Sequence, residues 1–230
     1  MADEEGMKKL TYLSGRIRHR LSGSEAFNRA VAWSAQPMKE GGLENVSTPL
    51  VKIPHGVRGK ESAEIVSSVK LTLGMLGLGL RPKRTIRVVF WANDENGKRG
   101  GLAYRDQNKD ALKNHVKAIE MDGRTEGPLG LGVTGGGDRA LAQMRATGKL
   151  LQPVGAGQLK AGGGGTDIGP IMREGVIGSG VRTVGERCLE WRHAESGTID
   201  KINPDDFRRN SAHLAVFACV LADRDERLGQ

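Results

Sequence analysis

The stretch TIRVVFWANDENGKRGGLAYRDQNKDALKNHVKAIEMD, residues 85–122, decides the fold class. Its first eight residues, 85–92, are β-branched or aromatic almost without interruption. That pattern predicts a central strand covered on both faces. NDENGKRGG then supplies a glycine-rich turn, and residues 102–112 read as a surface helix. HVKAIEMD, 115–122, predicts the next strand. Strand, helix and strand in succession point to an α/β layered fold.

Outward from this block the elements are shorter. Leu10, Leu13 and Ile17 recur at helical spacing and predict a short amphipathic helix. Ser22 and Glu25 have the spacing of a capping box. Phe27, Val31, Ala35 and Met38 mark the buried stripe of the helix that follows. Pro37 is expected to kink or stop that helix, and Gly41-Gly42 to close it. A strand is expected around residues 46–53. Residues 66–80 are apolar but carry glycines at 74, 77 and 79, so strand and glycine-weakened helix both remain open.

Downstream, residues 138–147 predict a helix and residues 176–181 a short strand. The final helix is the clearest. Asn203 suits the N-cap, Pro204 the first helical position, and Asp205 and Asp206 the first turn. Phe207, Leu214, Phe217 and Leu221 are expected on its buried face. No internal repeat is present.

The bulk composition narrows the function. The chain has 230 residues and a net charge of +8, from 35 basic and 27 acidic residues. Basic and acidic residues interleave, and aromatic residues are only 4%, which argues against a nucleic-acid surface. The two cysteines, Cys188 and Cys219, make neither a disulfide framework nor a zinc cluster. MADEEGMKKL is not a signal peptide, and no stretch has the length of a membrane span, so a cytoplasmic location is expected.

Acidic residues gather where sites form in open α/β sheets, beyond strand ends. Asp94 and Glu95 follow the first strand, and Glu120 and Asp122 close the second. Asp167 follows a glycine run, and His193 precedes the final helix. Carboxylates with a histidine can hold zinc or a similar ion, and a further carboxylate could take a proton from metal-bound water. Spacing alone leaves open that these are ordinary loop acids and a surface histidine. There is no HExxH word. GAGQLKAGGGGTD lacks the end of a phosphate-binding loop.

Several words together carry a resemblance. LTYLSGRIRHRLSGS (10–24), MKEGGLENV (38–46) and IPHGVRGKESAEI (53–65) resemble the opening of carboxypeptidase Q-like members of the M28 peptidase family. RPKRTIRVVFWANDENGKRGGLAY resembles that family's strand and turn bearing two adjacent acids. HVKAIEMDG resembles the strand that delivers an aspartate ligand. GGGTDIGPIMREGV and residues 190–228 resemble its C-terminal part.

The resemblance implies a three-layer α/β/α fold with a mixed central sheet and a metal-dependent exopeptidase acting on short peptides. It also implies two zinc ions, of which one or none is expected here. By the same resemblance Asp94 takes the general-base position. Glu95 and His193 would hold one metal and Asp122 the other, with Glu120 and Asp167 as site-lining residues. Family members are often secreted.

The departures from the family are also specific. The words that supply its first histidine ligand and its bridging aspartate do not occur here. The chain passes from MLGLG to LRPKRT as though a large central segment, including an inserted domain, were absent. Residues 1–230 are therefore expected to form one internally shortened peptidase-like domain, with parts 1–80 and 81–230 joined at that point. Asp94 stands where the family has glutamate, which retracts the carboxylate by roughly one bond length. Arg192 stands in place of a histidine, and Gly197 in place of an acid. The chemistry could instead have decayed, leaving a catalytically impaired or inactive remnant acting as a binding protein. Neither the end of the peptide attacked nor the oligomeric state is written in the sequence.

Overall fold

A computed structural model describes residues 4–17, 20–53, 63–64, 82–122, 126–185, 188–192, 194 and 196–230. The apolar segment 66–80 lies outside these residues.

Two helices open the chain. α1 spans Glu5–Tyr12 and runs into a π-helical turn, Leu13–Ile17. α2 spans Glu25–Glu40. Its N-cap is Ser24 rather than Ser22: the Ser24 hydroxyl accepts from the Phe27 amide at 3.1 Å. The helix carries Pro37 inside its last turn and ends at Gly41. Pro37 removes the backbone donor that would bond the Trp33 carbonyl, and the helix ends three residues later. The strand expected over 46–53 shrinks to β1, Leu50–Val51, paired antiparallel with β2, Ala63–Glu64.

The main sheet contains β3 (Ala118–Glu120), β4 (Pro128–Thr134), β5 (Gln158–Ala161) and β6 (Gly178–Thr183), in the order β3-β6-β4-β5. β3 runs parallel to β6 and β5 parallel to β4, while β4 and β6 are antiparallel. The sheet is mixed, as the resemblance implies.

Helices cover both of its faces. On one face α4 (Gly137–Gly148) and α7 (Pro204–Asp223) enclose Leu131, Val133, Met144, Phe217 and Leu221, with Ile119 alongside. On the other, α3 (Arg99–Gln107) and α5 (Gly169–Met172) enclose Tyr104, Ile168 and Ile171, with Ala118 alongside. Ala118 and Ile119 enter opposite cores because successive strand residues point to opposite faces. The architecture is a layered, mixed-sheet α/β fold.

The TIRVVFWA segment departs from expectation. Residues 85–89 join no ladder, and Phe90 makes a single bridge and is largely exposed. Its apolar side chains divide instead between separate clusters. Val88 packs with Met38 and Leu43, and Trp91 with Tyr104 and Ile171. Strand propensity reports suitability for a pleated, half-buried surface, and a strand also needs neighbours on its edges. The segment is held by side chains rather than by a ladder.

One polar network does much of this holding. His115 Nδ1 faces the Ala111 carbonyl at 3.0 Å, so it carries the proton. Nε2 then accepts from the Tyr104 hydroxyl at 2.9 Å, whose oxygen accepts from Arg87 Nη1 at 3.0 Å. Burial lowers the His115 pKa, consistent with the neutral ring. Tyr104→Phe is expected to cost about 1 kcal/mol. That lowers the thermal midpoint by roughly 2–4 °C in a chain of this size. An unchanged midpoint in a thermal scan would show the network to be idle.

The final helix follows its sequence closely. Asn203 Oδ1 accepts from the Asp205 and Asp206 amides at 2.8 and 3.2 Å. Phe217 and Leu221 are buried, while Phe207 and Leu214 are only half-buried. Asn210 and His213, both polar, and Ala222 fill the remaining buried positions.

Candidate active site

Four stretches of chain bring the acidic residues together. The first is the turn after Ala92. Asn93 and Lys98 adopt left-handed backbone conformations, with φ of 61° and 57°. The Lys98 amide donates to the Asp94 carbonyl at 3.1 Å and the Gly100 amide to the Ala92 carbonyl at 3.0 Å. The turn therefore closes directly onto α3 and presents Asp94 and Glu95 there.

The second stretch is the end of β3, with Glu120 and Asp122. The third is the loop between β5 and α5, with Asp167. Glycines of the sheet let this loop pack closely against it. A Cβ on Gly132 of β4 would meet the Gly162 carbonyl oxygen at 2.4 Å, and one on Gly180 of β6 the Gly164 oxygen at 2.1 Å. The loop lies on the sheet at a distance only glycine permits. The fourth stretch follows α6, Cys188–Trp191, and supplies Arg192.

Within this cluster the acids differ in role. Glu120 is buried, and its Oε2 accepts from the Asp167 and Ile168 amides at 3.0 and 2.8 Å. It thereby anchors the loop that carries Asp167. Burial still raises its pKa against the effect of those bonds. Asp167 is 5% exposed. Burial first, then the charges of Asp94, Glu120, Asp122 and Glu95, push its pKa up to about 8. Asp94 is also raised, by burial first and then by Asp122 and Glu95. Asp94 Oδ1, Glu120 Oε1 and Asp167 Oδ1 are buried without a hydrogen-bond partner among the described residues.

Asp122 and Glu95 are more open. Arg192 Nη2 lies 2.9 Å from Asp122 Oδ2 and 3.9 Å from Glu95 Oε1. Of the residues singled out by sequence, Asp94, Glu95, Glu120, Asp122 and Asp167 converge, as the mutual influence on Asp167 shows. His193 lies outside the described residues. Arg192 had been noticed only as a departure from a family word. Its contact with Asp122 spans 70 positions of sequence, and no local pattern encodes such a pairing.

The donor chemistry suits a divalent cation. Buried carboxylate oxygens without partners, gathered in one place, are what such an ion takes. The arrangement is not a completed site: among the described residues no three His, Cys, Asp or Glu groups stand where they could hold an ion. Glu95 and Asp122, with His193, are the residues that would hold one. Arg192 contacts the first two.

Comparison with known proteins agrees with this fold. Peptidase family M28 matches residues 65–218. Carboxypeptidase Q of Mus musculus is 36% identical over 151 residues, covering 66% of this chain and 32% of that one. Carboxypeptidase Q of Homo sapiens is 34% identical over the same length. The chain thus spans about a third of the length of the curated relatives it matches. Among solved structures, the peptidase M28 precursor of Shewanella amazonensis superposes with a TM-score of 0.62 at 30% identity, over 67% of this chain and 35% of that one. A zinc aminopeptidase from Bacillus subtilis superposes with a TM-score of 0.71, over 98% of each chain, at 13% identity. At that identity the likeness concerns the fold. On the match over most of its length, the chain belongs to peptidase family M28.

Proposed function

We propose that this chain is a metal-dependent exopeptidase that removes terminal residues from short peptides. The observation that carries the reading is the convergence, from separate chain segments, of Asp94, Glu95 and Asp122, the acids that the family words assign to base and metal, with Asp167 lining the same cluster. Glu95, Asp122 and His193 would hold the ion. A bound zinc would supply polarisation of the scissile carbonyl and acidification of water. Asp94 is the group to accept the water's proton. Its raised pKa makes it a better base than an ordinary aspartate. In the absence of an ion Asp167, its pKa pushed up to about 8, favours its protonated form, in which it adds no negative charge and can donate a hydrogen bond. Glu120 serves by holding the Asp167 loop in place. In this reading parts 1–80 and 81–230 form one domain, joined where the family carries additional chain.

A second reading is favoured by the Arg192 contacts and by the absence of a three-group set among the described residues. In it, the chain retains the fold and binds, but does not cut.

Incubation of the purified protein with short peptides, in zinc, cobalt, manganese or chelator, separates the two. The expected result is release of terminal amino acids, detected by mass spectrometry, that needs an added ion and is lost in Asp122→Asn. Binding of an ion by calorimetry, with no release under any of these conditions, would favour the second reading.

A further inference from the structure

We infer that Arg192 is an internal counter-cation that competes with a divalent metal ion for Asp122 and Glu95. This rests on the metal-binding reading above and adds to it a residue that limits metal affinity.

The argument starts from what the guanidinium touches. One nitrogen, Nη2, lies 2.9 Å from Asp122 Oδ2 and 3.9 Å from Glu95 Oε1. These are the carboxylates that the family resemblance assigns to the ion, and they come from separate stretches of the chain, the turn after Ala92 and the end of β3. An arginine is a fixed, always-charged donor that needs carboxylate lone pairs. A divalent ion needs the same lone pairs and is repelled by a positive charge held within a few ångströms. The two therefore exclude each other at Asp122.

The cluster also offers an ion more than Arg192 can satisfy. One carboxylate oxygen each of Asp94, Glu120 and Asp167 (Oδ1, Oε1 and Oδ1) stays buried without a hydrogen-bond partner among the described residues. Arg192 thus leaves part of the cluster unsatisfied, and a small cation of higher charge would be better matched to it.

The contact is also of a kind that can be broken. The Arg192 side chain is 31% exposed, Asp122 42% and Glu95 61%. Solvent at these groups screens the attraction and gives the arginine somewhere to go. The turn behind it is firmer. The Ala194 amide donates to the Trp191 carbonyl at 3.2 Å, and the Gly197 amide to the Ala194 carbonyl at 3.0 Å. These bonds are backbone to backbone, so rotation of the Arg192 side chain leaves them in place. Metal uptake is coupled to that rotation, and affinity is reduced by the work of displacing the arginine.

The test is a zinc titration of the wild-type chain and of Arg192→Gln by calorimetry, each first stripped with chelator. Thermal melts without metal serve as the folding control. Arg192→Gln is expected to bind zinc about tenfold more tightly, which corresponds to about 1.4 kcal/mol. Arg192→Lys keeps the charge but places it on a more flexible and more strongly hydrated ammonium, so its affinity should fall between the two. It also keeps the comparison usable if the glutamine variant folds poorly. A second readout needs no activity: zinc should increase the reactivity of wild-type Arg192 toward phenylglyoxal, as should Asp122→Asn without zinc. Equal zinc affinity in wild type and both variants would overturn the competition while leaving the metal site standing. No zinc binding by any of the three would remove the metal reading itself, and the competition with it.

Discussion

Gly165→Ala is expected to destabilise the chain by about 3 kcal/mol, through a residue 45 positions away in sequence. A Cβ at Gly165 would lie 1.9 Å from Glu120 Cδ, and 2.1 and 2.2 Å from its two carboxylate oxygens. The carboxylate is the end of a flexible side chain, so geometry alone would let it move. Its partners do not. Oε2 accepts from two backbone amides, at 3.0 and 2.8 Å, in a buried pocket. Hydrogen bonds to a charged group contribute roughly 1.5–3 kcal/mol each, and a stranded buried charge costs more. Some relaxation of the loop offsets part of this, which leaves about 3 kcal/mol. The thermal midpoint should then fall by roughly 6–12 °C. A double-mutant cycle isolates the cause. With Glu120→Ala already in place, Gly165→Ala should cost much less, because the atoms it meets are gone. Equal losses in both backgrounds, measured by urea denaturation, would show that the loop backbone and not Glu120 sets the requirement for glycine.

That coupling also marks what could be read from the chain before any coordinates. The helix beginning at Pro204 was legible to the residue, because capping is local: Asn203, Pro204 and two aspartates occur in four consecutive positions. The ends of α4 and the position of β6 were legible within two residues for similar reasons. TIRVVFWA misled because a ladder depends on partners elsewhere in the chain. The same residues that suit a strand also suit an unladdered segment wedged between two cores. The glycines of the run 162–165 answer to different neighbours, Gly163 to the backbone of β4, Gly164 to Met172 and Gly165 to Glu120, none of them local in sequence.

The site divides along the same line. The acids could be named from local pattern, since they follow apolar or glycine-rich runs, and five of them converge. Their different duties could not be named. Whether a carboxylate anchors a loop, as Glu120 does, or stays protonated, as Asp167 does, is decided by burial. Burial is a property of the whole fold. The pairing of Arg192 with Asp122 is likewise a tertiary fact between distant positions.

Asp167 offers the clearest measurement of that burial. Its pKa is about 8 in the folded chain against an ordinary 3.8, with burial as the main cause and neighbouring carboxylates next. The folded state therefore holds a proton that the unfolded state gives up. Stability from this group is fully present below about pH 4, falls as the pH rises, and is lost once the pH passes about 8. Asp94 and Glu120 are shifted in the same direction and add to the slope. Asp167→Asn keeps the shape and removes the charge. It should flatten much of the decline and exceed the wild type at pH 9 by on the order of 2 kcal/mol. Urea denaturation from pH 5 to pH 9, in chelator, gives the curve. Parallel curves for wild type and variant would show that Asp167 is not the group holding the proton. Adding zinc then becomes informative in its own right. A cation among these carboxylates favours their charged forms, so it should flatten the wild-type curve from the alkaline side and leave Asp167→Asn changed far less. A wild-type slope indifferent to zinc would mean that no ion reaches the buried end of the cluster. The acids there would then be serving the fold alone.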